Sequence, residues 1–409
     1  MPDFYQHRLI STLHQLAEPP VGQQEAELKK YARRRPVSLV LPALYSEVEG
    51  AALPGIIQHL SEAEFVGEVV MSMNRMDVEQ FAKAKDFMSQ LPLPHRILWN
   101  DGPRVTALYS ELEKSHLTSY VPGKGYNVWM ALGYVMAKGE ARVVATHDSD
   151  ILSYHREMLH RLCMPTMHPN LSYQFAKSYY GRVSDRMYGR VTRLFVAPLL
   201  RALRNAIGNP QLLEFLESFR YPLSGEFSMS LELARTLRLP GDWGLEMGML
   251  CEVYRNTTMR RICQVDLGGN FEHKHQHLGA DESNSGKTEA TKGLVKMARE
   301  VALALLSNLA ADGVVFSKAL MKTVRFTYER IAKESIQRYH DDAIVNGLQY
   351  FRHEEAQAVE AFTEALGVAG KEFLRESYAS PHIPNWNRVN SALPEFGERL
   401  LEAVELDNQ

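Results

Sequence analysis

Between residues 37 and 99 the chain switches repeatedly between two hydrophobic rhythms. Segments 37–41, 66–71 and 95–99 are short runs of β-branched and apolar residues bounded by turn residues, as buried strands are. Segments 48–60 and 77–91 between them repeat their apolar positions every three or four residues, as helices with one buried face do. Strand alternating with helix predicts a parallel sheet covered on both faces. The same alternation predicts a helix over 126–137, a strand over 141–146, a helix over 155–162 and a strand over 171–177. Helices over 190–206 and 245–254 and a strand over 262–267 follow. The first thirty-five residues read as amphipathic helix ending in a basic run, Lys29-Lys30 and Arg33-Arg34-Arg35, whose ordinary role is a solvated face. Beyond Gly286 the strand signals stop, and helical periodicity holds over 288–338, 355–376 and 389–404. The chain is expected to divide into an α/β domain over 1–285, including the helix over 1–35, and an all-helical extension over 286–409.

Composition narrows the class. With 409 residues, 45% of them hydrophobic, the chain can bury a large core, and 23% charged residues is ordinary for a folded protein. A net charge of -3 argues against nucleic acid held by bulk electrostatics. Cys163, Cys251 and Cys263 are widely spaced and odd in number, which suggests free thiols in a reducing compartment. No leader is visible and no apolar run approaches the ~20 residues that span a bilayer. A cytoplasmic protein, bound neither to membrane nor to nucleic acid, is the expectation.

Four stretches can carry chemistry. Asp148-Ser149-Asp150 is the one Asp-x-Asp triplet in the chain, and it falls at the carboxyl end of a predicted buried strand, where open α/β sheets bind ligands. Two carboxylates there call for compensation, which a hard divalent ion bridging to a diphosphate would supply. The alternative is a turn in which Asp150 caps the next helix. Glu272-His273-Lys274-His275-Gln276-His277 can be read as a zinc site, as one histidine joining Asp150 on a metal, or as an exposed polar loop. Val121-Pro122-Gly123-Lys124-Gly125 and Gly189-Arg190-Val191-Thr192 each open a helix. Both offer backbone N–H groups and a cation to an anion; the alternatives are a plain turn for the first and a surface arginine with a capping threonine for the second. Ser285-Gly286-Lys287-Thr288 ends like a phosphate-binding loop, but Asp281 stands where its first glycine belongs.

The order and spacing of these motifs, from about Val37 to Gly279, resemble the glucosyl-3-phosphoglycerate synthases, retaining transferases of the GT-A type. The resemblance includes Leu41-Pro-Ala-Leu44, Pro122-Gly-Lys-Gly125, the Asp148 triplet and Gly189-Arg-Val-Thr192 with Ala197-Pro-Leu-Leu200. Tyr221-Pro-Leu-Ser-Gly-Glu226, Trp243-Gly-Leu-Glu246 and Gln264-Val-Asp-Leu267 with Glu272-His273 complete it. It implies a Rossmann-like nucleotide-sugar-binding domain with a mainly parallel sheet. Pro42, Leu44, Ser46 and Ser149 would bind the donor, and Lys124 would contact its diphosphate. Asp150 and His273 would hold Mg²⁺ or Mn²⁺, with Asp148 beside the ribose or the metal's water shell. Arg190, Thr192 and Lys274 would bind the acceptor, while Glu246, beside Gly225 and Glu226, would meet the glucose hydroxyls. Lys124, Asp148 and Glu246 are the residues nearest the chemistry.

The chain also departs from the family pattern. Ser46 stands where an acidic residue is usual, Ser72-Met-Asn-Arg75 replaces Asp-Ser-Gly-Ser, and Lys274 replaces an arginine, which removes bidentate phosphate binding there. The reaction implied is glucosyl transfer from a nucleoside diphosphate to the 2-hydroxyl of 3-phosphoglycerate. Mannose as the sugar or glycerate as the acceptor are the alternatives within the class. A histidine-rich metal hydrolase or a non-catalytic metal-binding protein is the alternative outside it. The helical extension is expected to form a homodimer.

Overall fold

The computed structural model describes residues 4–6, 8–269, 271–272, 293–375 and 382–409. Among the described residues, eight strands form one sheet: β1 (Ser11–Leu13), β2 (Val37–Leu44), β3 (Val66–Asn74), β4 (His95–Trp99), β5 (Val143–Thr146), β6 (Phe175–Tyr179), β7 (Phe227–Ser230) and β8 (Ile262–Asp266). Their order is β1-β8-β6-β7-β5-β2-β3-β4. Neighbours run parallel except β7, which is antiparallel to both β5 and β6.

The pleat sorts side chains to two faces. Val40, Val70, Leu98 and Val144 enter one core, with the helix Lys124–Lys138. Leu39, Val69, Ile97 and Val143 enter the other, with the helices Ala52–Leu60 and Arg156–Met167. Both faces are covered, so these strands read as nearly unbroken apolar runs.

The helices Gly293–Ala311, Lys318–Val345 and Arg352–Arg375 share the first of these cores. Tyr328 donates a hydrogen bond to the carbonyl of Leu194 at 3.0 Å. Trp386 stacks on Trp129 with centroids 4.5 Å apart. Each indole N–H donates into the other's segment, Trp129 to Pro384 at 2.9 Å and Trp386 to the carbonyl of Trp129 at 3.0 Å. Asn408, at the end of the helix Phe396–Asn408, accepts from the N–H of Ile97 and donates to its C=O, at 2.9 and 2.8 Å. One amide side chain thus satisfies both backbone groups of Ile97 on the open edge of β4, a place where an unpaired strand would invite association.

Several expectations are corrected. Residues 1–35 are not one helix: Val21–Ala32 is helical, but Ser11–Leu13 pairs with β8. A three-residue strand carries no readable periodicity, and its ladder partner lies about 250 residues away. The strand placed at 171–177 sits at Phe175–Tyr179, where the β8 and β7 ladders set its register. Segment 190–206 begins as a π-helix over Val191–Val196 before turning α-helical at Ala197. The single helical stretch over 288–338 is broken at Gly313, which takes φ of 93°, and restarts where the hydroxyl of Ser317 caps Leu320 N–H. Among the described residues, no helix is long and apolar enough to cross a membrane.

Candidate active site

The chain leaves β2 for β3 and β4 on one side and returns to β5 on the other. The carboxyl ends of β2 and β5 therefore diverge, and ligands of open α/β sheets bind in the crevice at such a point. A cavity of about 1410 Å³ opens there. Pro42 and Leu44 line it from β2, Asp148, Ser149 and Asp150 from the loop after β5, and Lys124, Glu246, and Arg190 with Thr192 from three surrounding segments.

Lys124 is the first residue of its helix, and its ammonium lies 2.7 Å from Asp148 and 2.9 Å from Glu246. Burial opposes its charge, but the two carboxylates outweigh burial and raise its proton affinity above the ordinary lysine range. The second oxygen of Glu246 is buried without a hydrogen-bond partner and belongs to the cavity wall, where a hydroxyl-bearing ligand would satisfy it. Gly225 lies directly behind Asp148: a Cβ there would collide with the carboxylate. The carbonyl of Gly225 is fixed by the hydroxyl of Thr146 at 2.9 Å. The hydroxyl of Ser149 donates to the carbonyl of Pro42 at 3.0 Å, tying the triplet to β2 across the switch point.

Pro122-Gly-Lys-Gly125 differs from expectation in what its glycines do. A Cβ on Gly123 would strike the carbonyl of Gly241, and one on Gly125 that of Pro240. The glycines admit a close backbone crossing, which is what brings Lys124 to Glu246. Ser46 is exposed and does not line the cavity, whereas Glu47 does. Glu226 is fully buried behind the wall and accepts from the hydroxyl of Ser178 at 3.2 Å.

Pattern reading missed two features. Lys177 is fully buried beneath the site. It donates to the carbonyl of Ser224 and lies 5.6 Å over the Phe227 ring. Burial lowers its pKa to about 8 against the opposing pull of Glu246 and Glu226. A lone lysine inside the apolar run Phe-Ala-Lys-Ser-Tyr was the available signal, since lysine is almost never fully buried unless it is paired. The second feature comes from the helix Arg352–Arg375. Its Glu354 and Glu355 hold Arg190 at 2.6 and 2.7 Å, and Glu355 also holds Arg193 at 3.0 Å. Thr192 is buried beside them within the π-helix, a distortion that recurs at functional sites.

Asp150 lines the cavity near Arg182, whose guanidinium is kept charged against burial by Tyr221, Tyr180 and Asp150. His273 and Lys274 lie outside the described residues, as do His275, Gln276, His277 and Ser285–Thr288. Glu272 is bound to the loop after the triplet: its C=O accepts from Leu152 N–H at 2.8 Å, and its N–H donates to the Ser153 hydroxyl at 2.9 Å. Among the described residues, no cluster of three histidine, cysteine or acidic side chains is poised to hold a metal.

A mainly parallel sheet with one reversed strand, and an Asp-x-Asp triplet opening into a cavity at its switch point, define a glycosyltransferase of the GT-A type. The chain belongs to the glucosyl-3-phosphoglycerate synthase family. The enzyme of that name from Persephonella marina is 44% identical, with 100% of this chain and 99% of the relative covered. Its namesake from Methanococcoides burtonii is 37% identical, with 99% and 98% covered. Among solved structures, the Mycobacterium tuberculosis glucosyl-3-phosphoglycerate synthase with Mn²⁺, UDP-glucose and phosphoglyceric acid matches at 26% identity and a TM-score of 0.53. That match covers 73% of this chain and 88% of the other. No family model matches the chain.

Proposed function

We propose that the chain transfers glucose from a nucleoside diphosphate glucose to the 2-hydroxyl of 3-phosphoglycerate, with retention at the anomeric carbon. The product would serve synthesis of the compatible solute glucosylglycerate. The observation that carries this reading is the Asp148–Lys124–Glu246 ion triad in the cavity wall. It joins a cation suited to a leaving diphosphate to a buried carboxylate with an oxygen to spare for sugar hydroxyls. The relatives' shared name and the M. tuberculosis complex with UDP-glucose and phosphoglyceric acid support the choice of substrates.

In this reading Pro42 and Leu44 flank the base, and Arg190 and Thr192 hold the acceptor phosphate and orient its hydroxyl toward the donor. Asp150 with His273 would hold Mg²⁺ or Mn²⁺, both of which accompany UDP in the M. tuberculosis enzyme. Hard carboxylate oxygens at the end of a strand suit either ion, which would neutralise charge on the departing diphosphate. Lys124 would hold the diphosphate from the other side. The acceptor proton would pass to the leaving phosphate on the same face of the sugar, which gives retention without a protein nucleophile. The reading includes a transferase domain over 1–285 and a helical region over 286–409, with the helical region forming a homodimer in the cytoplasm.

The test is a screen of nucleoside diphosphate glucoses and mannoses against 3-phosphoglycerate and glycerate with each metal. Product mass and the anomeric proton coupling would be read. An α-glucoside of 3-phosphoglycerate, lost in Asp150→Ala, is expected. Transfer of mannose, equal use of glycerate, a β-product or full turnover by the variant would overturn the assignment.

A further inference from the structure

The helix Arg352–Arg375 brings two adjacent carboxylates to the acceptor end of the cavity in very different surroundings. Glu355 has a side chain only 4% exposed. One of its oxygens accepts from Arg190 Nε and the other from Arg193 Nη1, so both are committed to fixed cations. Glu354 has a side chain 46% exposed, lines the cavity beside Gln357, and holds Nη2 of Arg190 at 2.6 Å. The start of a helix favours acidic residues in general, and here both carboxylates also reach the Arg190 guanidinium that a phosphate would need. Arg190 therefore presents its planar donor fork to an anion while a carboxylate of the protein already covers part of it.

We propose that Glu354 is an exchangeable stand-in for the acceptor's phosphate. It keeps Arg190 aligned while the acceptor end is empty and yields Nη2 to the incoming phosphate, and Glu355 remains as the fixed brace. The proposal rests on the reading of Arg190 as the acceptor-phosphate ligand. Exposure makes the division physical. A half-solvated carboxylate returns to water at little cost, so its hold on Arg190 is that of a surface ion pair. A buried carboxylate bonded to two guanidiniums has no such exit. A phosphate dianion brings more charge to Nη2 than a single carboxylate does, and so displaces Glu354 while Glu355 keeps Nε. The acceptor pays for that exchange in apparent affinity, and Glu354 becomes a determinant of acceptor KM contributed by the helical region.

The test compares wild type, Glu354→Gln and Arg190→Ala in steady-state kinetics at low and high salt. Glu354→Gln should lower KM for 3-phosphoglycerate roughly two- to fivefold at low salt, the range of an exposed ion pair. Donor KM should not follow it, and the gain should shrink as salt screens the competing carboxylate. Inorganic phosphate, used as a probe, should inhibit the variant at correspondingly lower concentration. Arg190→Ala should raise acceptor KM selectively. If it does so while Glu354→Gln leaves acceptor KM unchanged or raises it, the exchange is refuted and the Arg190 reading stands. If Arg190→Ala leaves acceptor KM unchanged, the Arg190 reading falls and takes the proposal with it.

Discussion

Replacing Lys124 with methionine keeps the length of the side chain and removes a cation that Asp148 and Glu246 share. At 2.7 and 2.9 Å each pair is worth roughly 6 kcal/mol gross at an effective dielectric constant of about 20. Desolvation of the three charges cancels much of that. Removing one partner of a buried pair costs about 3–5 kcal/mol, and the Lys124 side chain is 20% exposed, so the low end, about 3 kcal/mol, applies. A chain of 409 residues unfolds with an entropy of roughly 0.9 kcal/mol per kelvin, so Tm should fall by about 3–4 °C. The pH dependence has a definite sign. The folded-state proton affinity of Lys124 is raised, so its contribution is complete below the unfolded lysine value and is lost only as pH climbs through the folded one. Calorimetry between about pH 6 and pH 7, below the range in which the neighbouring Lys177 titrates, should therefore show a constant gap between wild type and variant. Turnover should fall by about 10²–10³, as when one donor to a developing charge is removed. A variant melting within about 1 °C of wild type, or a gap that varies across this range, would refute the triad as a structural and electrostatic unit.

Gly225→Ala pushes a methyl group into the Asp148 carboxylate and away from Lys124, so it should cost at least tenfold in kcat and lower Tm by about 1–4 °C while circular dichroism stays near wild type. Unaltered kinetics would mean that Asp148 need not sit where it does. Lys177 has its folded-state pKa lowered to about 8, below the unfolded value of about 10.4. The unfolded chain thus binds more protons between these values, and stability should rise with pH across that window by at most about 3 kcal/mol. Urea unfolding should show the rise in wild type and its absence in Lys177→Met. Trp386→Ala removes a fully buried ring stacked on Trp129, and should cost about 3–5 kcal/mol, or roughly 4–6 °C in Tm. A smaller shift would mean that the C-terminal helices contribute little to holding the helix that begins at Lys124.

Six of the eight strands were legible because each buried strand is a local run of β-branched and apolar residues, readable without knowing its partners. β1 was not, since three residues are too few to show a period, and β7 was not, since Phe-Ser-Met-Ser lacks the unbroken apolar and β-branched run that marks β5 at the same length. Only the ladders to β8, and to β5 and β6, make them strands. The Asp148 triplet was found from its place after β5, and Lys124 from its place at a helix start. That Lys124 closes onto Glu246, 122 residues away, was not available from either position.

The sequence by itself determined the alternation that builds a parallel sheet, the strand end that carries the carboxylates, and the motif order that resembles the family. These are properties of neighbouring residues, and local rhythm and spacing report them. Tertiary structure alone decided which charges meet. Lys124 with Glu246, Lys177 beneath both, and Arg190 with Glu354 and Glu355 are pairs from segments far apart in the chain. Burial gives those pairs their strength and shifts their proton affinities, and burial is a property of the packed molecule that no single stretch of chain contains.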